Sequence, residues 1–81
     1  MRILLVEDEP AIADAVAYAL ASEGLQVTSV RTLGEADRHC TTCDLIVLDV
    51  GLPDGNGFDF CRDLRRQSAV PVLFLTARTD E

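Results

Sequence analysis

Three carboxylates and one hydroxyl each follow a short apolar run of the kind that forms a buried β-strand. These residues are Glu7, Asp8, Asp49 and Thr76. If the runs are parallel strands of one sheet, their carboxyl ends meet at the same edge, where such sheets bind ligands. Carboxylates brought together there repel one another, and a hard divalent cation such as Mg²⁺ relieves that repulsion. The pattern therefore predicts a Mg²⁺ site, and this ion keeps waters or phosphate oxygens as its remaining ligands.

Each acid also has a simpler interpretation. Glu7, Asp8 and Glu9 precede a predicted helix, where negative charge interacts favourably with the helix dipole. Acids that follow a strand can equally be solvated loop residues. The convergence of three carboxylates from two strands, with a hydroxyl from a third, favours a site over these alternatives.

The elements that would position these side chains alternate along the chain. Apolar runs at residues 3–6, 25–30, 45–48 and 72–75 predict four strands. The second run is interrupted by polar residues, which suits a sheet edge. Three amphipathic helical patterns lie between the runs. The order β-α-β-α-β-α-β predicts an α/β fold with an open parallel sheet and right-handed crossovers.

The predicted helices have recognisable ends. The first begins at Pro10 and ends at Gly24. For the second, Thr32 is the N-cap, Glu35 completes a capping box, and the apolar face is formed by Leu33, Ala36 and Cys40. The third begins at Asn56 or Gly57 and runs towards Gln67, with Phe58, Cys61 and Leu64 on one buried face. Gly55 and Gly57 are interpreted as turn residues, because a third glycine of a dinucleotide-binding motif is missing.

Composition restricts the possible functions. The 81 residues allow one domain, and 48% hydrophobic with 26% charged residues is typical of a globular chain. A net charge of −7 argues against nonspecific binding to nucleic acid or to an anionic membrane. No apolar run approaches the ~20 residues of a membrane span, and no signal peptide is evident. A cytoplasmic location is expected.

The three cysteines are an odd number without secretory context, so a disulfide framework is not expected. Cys40 and Cys43 form a C-x-x-C, but it precedes a strand instead of opening a helix, unlike the motif of thiol oxidoreductases. With His39 the pair would still leave a tetrahedral metal site one ligand short. All three cysteines are expected to be packing residues, with Cys61 buried.

Three segments resemble the receiver domain of bacterial two-component response regulators. They are LLVEDEP at residues 4–10, DVGLPDGNG at residues 49–57 and VPVLFLTAR at residues 70–78. The residue sequences of the second and third segments most resemble those of the OmpR/PhoB-type regulators. The resemblance covers residues 1–81 in the right order, and it implies a flavodoxin-like (CheY-like) doubly wound receiver fold.

The resemblance also implies roles for individual residues. Asp49 would accept a phosphoryl group from a phosphohistidine on a sensor histidine kinase. Mg²⁺ would be bound by Asp8 directly, by Glu7 mainly through water, by Asp49, and by the backbone carbonyl of Gly51. Phosphorylation of Asp49 would switch the output of the parent protein, which is the regulation of transcription.

At the fourth strand, the resemblance implies two further phosphate contacts. Thr76 would be the switch hydroxyl that turns towards the phosphoryl group, and the Ala77 N–H would donate to a phosphoryl oxygen. A complete receiver has a fourth helix, a fifth strand and a fifth helix beyond this point, with a lysine after that strand. This sequence contains no lysine. Residues 1–81 are therefore expected to be the N-terminal part of a receiver that self-associates, and DNA would be contacted only by a downstream domain.

Two other functions remain open from the residues. Phosphatases of the haloacid dehalogenase type also place an aspartate after a strand, but they carry a second aspartate two residues later, where this chain has Gly51. A pseudo-receiver that serves as an interaction scaffold, without phosphorylation, is the other alternative. The intact acids favour a phosphoacceptor signalling module that is not itself an enzyme.

Overall fold

The computed structural model describes residues 1–75, which form six strands and three helices. The elements are β1 Arg2–Val6, α1 Pro10–Ser22, β2 Gln26–Val30, α2 Leu33–Asp37, β3 Leu45–Asp49, β4 Gly51–Leu52, β5 Gly55–Asn56, α3 Gly57–Leu64 and β6 Val72–Leu75. The expectations for Thr76 and Ala77 lie outside the described residues.

Four strands form one parallel sheet in the order β2-β1-β3-β6. The sequence prediction of a parallel sheet with the second strand at an edge is confirmed. In the register, Val6 is the partner of Leu48, and Asp49 is the partner of Leu75. The carboxyl ends of β1 and β3 are therefore level with each other at one edge of the sheet.

The sheet is covered by helices on both faces. Alternate strand residues point to opposite sides, as the pleat requires. One face contributes Leu4, Val6, Ile46 and Leu48 to a cluster with Ala36 of α2 and Leu64 of α3. The other contributes Ile3, Leu5 and Val47 to a cluster with Ala13 of α1. This arrangement confirms the doubly wound α/β fold. No helix within residues 1–75 is long and apolar enough to cross a membrane.

The predicted helix ends are largely those of the structure. Pro10 opens α1, and Gly24 follows its end with a φ of +84°, a conformation that glycine adopts without strain. The Thr32 side chain accepts a hydrogen bond from the Glu35 N–H at 3.1 Å. Asn56 caps α3, accepting from the Phe58 N–H at 2.7 Å. The Thr32 and Asn56 caps fix where α2 and α3 begin.

Two helices are shorter than predicted. α2 ends at Asp37, and the chain continues through tighter turns in which the His39 N–H donates to the Ala36 carbonyl at 3.0 Å. α3 ends at Leu64, and the Gln67 N–H donates to the Leu64 carbonyl in the same three-residue pattern. Cys40 lies in the turns after α2 but remains buried. For α2 the apolar pattern thus predicted burial correctly, whereas the length of both helices was overestimated.

The predicted buried face of α3 is wrong in part. Phe58 is 53% exposed and Cys61 is only partly buried, whereas Gly57, Phe60 and Leu64 face the protein. Residues spaced by three drift about 60° around a helix with each step, so Phe58, Cys61 and Leu64 cannot share one narrow buried stripe.

Candidate functional site

Glu7, Asp8 and Asp49 converge at the carboxyl ends of β1 and β3. One carboxylate oxygen from each residue lies within 4.8 Å of the other two. Glu7 and Asp8 follow β1 directly, and Asp49 is the last residue of β3. The predicted convergence of these three side chains is confirmed. It follows from the register, which sets the two strand ends side by side.

Glu7 is the buried member of the cluster, with 2% of its surface exposed. Its Oε2 accepts a hydrogen bond from the Glu9 N–H at 2.9 Å. Its Oε1 is buried and has no hydrogen-bond partner in the structure. A buried carboxylate oxygen without a partner is costly, so this atom fits a site that binds a cation.

The surroundings of Glu7 disfavour its charged form. Burial raises the pKa of the Glu7 carboxyl above its ordinary value, and the negative charges of Asp49 and Asp8 raise it further. The hydrogen bond from the Glu9 N–H opposes this effect. Two like charges about 5 Å apart repel by roughly 3 kcal/mol at an effective dielectric constant of ~20. A divalent cation would convert this repulsion into attraction.

The donor set fits Mg²⁺. Three carboxylates offer hard oxygen ligands, one of them buried without a partner, and Asp8 and Asp49 are partly exposed. Mg²⁺ binds through a few carboxylates while retaining waters or phosphate oxygens, and an open site leaves room for these. Gly51, the backbone ligand implied by the resemblance, begins β4 two residues after Asp49 and is exposed. Its role as a ligand stays a prediction.

Within residues 1–75, the carboxylate cluster lies apart from the best-defined cavity. A shallow cavity of about 240 Å³ lies around the other end of β1, where its lining includes Arg2, Gln26 and His39. None of the three clustered carboxylates lines it. Asp8 and Asp49 are partly exposed at the sheet edge, whereas Glu7 is buried.

Sequence reasoning missed the contacts that hold the loops around the site. The segment 51–56 folds back as the antiparallel pair β4 and β5. From the turn between them, Asp54 accepts hydrogen bonds from the backbone N–H groups of Leu33 and Gly34. Arg31 donates to the Asp8 carbonyl oxygen at 3.4 Å. These partners are 20 to 23 residues apart, and local spacing carries no signal for such pairs.

Comparison with known proteins agrees with this geometry. The family model for the response regulator receiver domain matches residues 3–81. The chain belongs to this family. It is 48% identical to the KDP operon transcriptional regulatory protein KdpE of Escherichia coli K12, over 99% of the chain and 36% of that protein. It is 42% identical to the sensory transduction protein RegX3 of Mycobacterium tuberculosis H37Rv, over 98% of the chain and 36% of that protein.

A solved receiver domain shows the same fold. The BeF3-activated N-terminal receiver domain of RstA from Klebsiella pneumoniae superimposes with a TM-score of 0.90 at 30% sequence identity. The alignment covers 100% of this chain and 71% of that one. The chain spans about a third of the length of KdpE and RegX3. The receiver resemblance and its OmpR/PhoB character are therefore confirmed.

Proposed function

We propose that Asp49 is the phosphoacceptor of this receiver domain and that a sensor histidine kinase is the donor. The observation that carries the proposal is the cluster of Glu7, Asp8 and Asp49, whose carboxylate oxygens lie within 4.8 Å of one another. Within the cluster, Asp49 is the acid that ends a central strand and remains partly exposed. It can therefore be approached from the sheet edge by a phosphohistidine.

In the proposed reaction, a carboxylate oxygen of Asp49 attacks the phosphorus of the phosphohistidine. A bond forms between that oxygen and phosphorus, and the bond between phosphorus and the imidazole nitrogen breaks. The electron pair of the broken bond stays on the imidazole, and Asp49 becomes an acyl phosphate. Such transfers depend mainly on positioning and on neutralising the charge of the phosphoryl oxygens.

Glu7, Asp8 and Asp49, with the Gly51 carbonyl, are the residues that would hold Mg²⁺. When bound, Mg²⁺ supplies positive charge to the phosphoryl oxygens and cancels the repulsion among the acids. The partnerless Oε1 of Glu7 supports this assignment. Thr76 and Ala77, from the family resemblance, complete the proposal as donors to the phosphoryl group.

The longer protein is proposed to regulate transcription. KdpE is named a transcriptional regulatory protein, and this chain corresponds to 36% of its length. In the proposal, residues 1–81 are the N-terminal part of a receiver, and a different domain contacts DNA. The cytoplasmic location stays a prediction.

Incubation with Mg²⁺ and a small phosphodonor, followed by intact-mass measurement, tests the proposal. The wild type should gain the mass of one phosphoryl group, and Asp49→Asn should gain none. Asp63→Asn is a matched control, because Asp63 is an exposed acid of α3. An unmodified wild type would favour the pseudo-receiver alternative, and an unaffected Asp49→Asn variant would assign the phosphate elsewhere.

Titration with Mg²⁺ by calorimetry tests the metal ligands separately. Asp8→Asn should weaken binding more than Glu7→Gln, because Asp8 is assigned direct coordination and Glu7 acts mainly through water. Each substitution also removes one negative charge from the cluster. Equal affinities of wild type and Asp8→Asn would reject the assignment of Asp8.

A further inference from the structure

The loop that follows Asp49 is hydrogen-bonded to the start of α2 through the side chain of Asp54. The two oxygens of Asp54 accept hydrogen bonds from the Leu33 N–H at 2.9 Å and the Gly34 N–H at 3.0 Å. The same loop places Leu52 in the core on the α2 face of the sheet. The hydrogen bonds of Asp54 and the packing of Leu52 therefore set the position of Gly51, which lies between Asp49 and Leu52 in the chain.

The same part of the chain also contacts the loop that carries Asp8. Arg31 lies two residues before α2, and its guanidinium donates to the Asp8 carbonyl oxygen at 3.4 Å. The backbone N–H of Arg31 donates to Glu35 Oε1 at 2.9 Å, which ties Arg31 to the first turn of α2. Residues 31–35 thus touch both loops that supply candidate metal ligands.

We propose that Asp54 is a positioning residue for the metal site, holding the loop 51–56 so that the Gly51 carbonyl stays in reach of the carboxylate cluster. This inference rests on the proposed function, since it takes Gly51 as a ligand. A pair of two-residue strands is too short to be stable alone. The glycines at 51 and 55 add conformational freedom, which the two hydrogen bonds of Asp54 restrict.

A purely structural role is the competing explanation. Asp54 would then only satisfy two backbone N–H groups at the start of α2. Thr32 already caps that helix by accepting from the Glu35 N–H. The two roles differ in one measurable respect: a structural cap affects folding stability, whereas a positioning residue also affects metal affinity in protein that remains folded.

Calorimetric titration with Mg²⁺ at physiological ionic strength tests the inference. Asp54→Ala should weaken binding about tenfold, the lower end of the effect of outer-shell residues on metal sites. Asp54→Asn retains one acceptor oxygen and should bind with intermediate affinity. Asp63→Asn removes the same charge from an exposed position and should bind like the wild type. If Asp54→Ala does not fold, the Mg²⁺ affinities of Asp54→Asn and Asp63→Asn are compared instead, and equal affinities would overturn the inference.

Amide hydrogen exchange of the metal-free protein gives a second readout. The Leu33 and Gly34 amides should exchange faster in Asp54→Ala, in step with the loss of affinity. Faster exchange with unchanged Mg²⁺ affinity would overturn the inference and leave the proposed function intact. A wild type that binds no Mg²⁺ would overturn both, so the two failures are distinguishable.

Discussion

Gly57 packs so closely against Asp49 that a Cβ atom added to it would lie 2.7 Å from the Asp49 carbonyl oxygen. The Gly57 N–H also donates to the Val50 carbonyl oxygen at 2.8 Å. The first residue of α3 is therefore in contact with the backbone that carries the candidate phosphoacceptor. Any side chain at position 57 must therefore displace either α3 or the backbone of Asp49.

Gly57→Ala should destabilise the protein, because the added methyl group has no room beside that carbonyl. We expect a loss of about 1–3 kcal/mol in the free energy of unfolding, as for other overpacked sites. Urea denaturation followed by circular dichroism measures it. Gly34→Ala is the control, since its Cβ would make only ordinary contacts and alanine favours a helix. Equal stability of Gly57→Ala and wild type would show that the contact is not tight.

Glu7→Gln should stabilise the metal-free protein at neutral pH while weakening Mg²⁺ binding. The substitution removes one of three clustered negative charges, a gain of about 1 kcal/mol or more. Because the pKa of Glu7 is raised in the folded state, its contribution to stability is greatest below the unfolded value near 4.5 and is lost as pH rises through the folded pKa. This loss should be absent in Glu7→Gln.

The measurement is the free energy of unfolding from urea denaturation between pH 4.5 and pH 8, with a chelator present. The difference between the unfolding free energies of wild type and variant isolates the contribution of Glu7. Among the other carboxylates, Glu35 and Asp54 have a lowered pKa. Those two stabilise the fold above their unfolded pKa values, so they produce the opposite slope. A difference that does not change with pH would contradict the assignment to Glu7.

Much of the fold was predictable because the local hydrophobic patterns specify the same strands and helices that the parallel sheet requires. The apolar runs before Glu7 and Asp49 specify buried parallel strands, and the convergence of the acids follows from that geometry. The cap at Asn56 has a local signal too. Asp54 was missed because its partners lie on another element, more than 20 residues away for Leu33. Phe58 was misplaced because two successive steps of three residues separate it from Leu64 by about 120° around the helix.

The cysteines should react with thiol reagents at different rates. Burial raises the pKa of Cys40 and of Cys43, which lowers the thiolate fraction of both. Cys61 lies on α3 and is partly exposed. Under native, nonreducing conditions we expect three reduced thiols, with Cys61 alkylated first, as followed by peptide mass spectrometry. A Cys40–Cys43 disulfide or a bound stoichiometric metal would overturn the interpretation of these residues as packing groups.

The 81-residue chain should self-associate through β6. Within residues 1–75 this strand pairs with β3 alone, and Leu73 is 59% exposed. An exposed apolar edge strand is a template for pairing with another copy. Sedimentation velocity should show concentration-dependent dimers, most simply two-fold symmetric, that Leu73→Lys weakens. A folded wild type that stays monomeric at high concentration would contradict the prediction.

Locating the phosphoryl group is the most direct test of the central claim. After treatment with Mg²⁺ and a small phosphodonor, the protein is digested and the modified peptide is sequenced by mass spectrometry. The phosphoacceptor assignment predicts a single modified residue, Asp49, with Asp8 and Asp54 unmodified. A phosphoryl group found on Asp8, on Asp54 or on any other residue, with Asp49 unmodified, would contradict it.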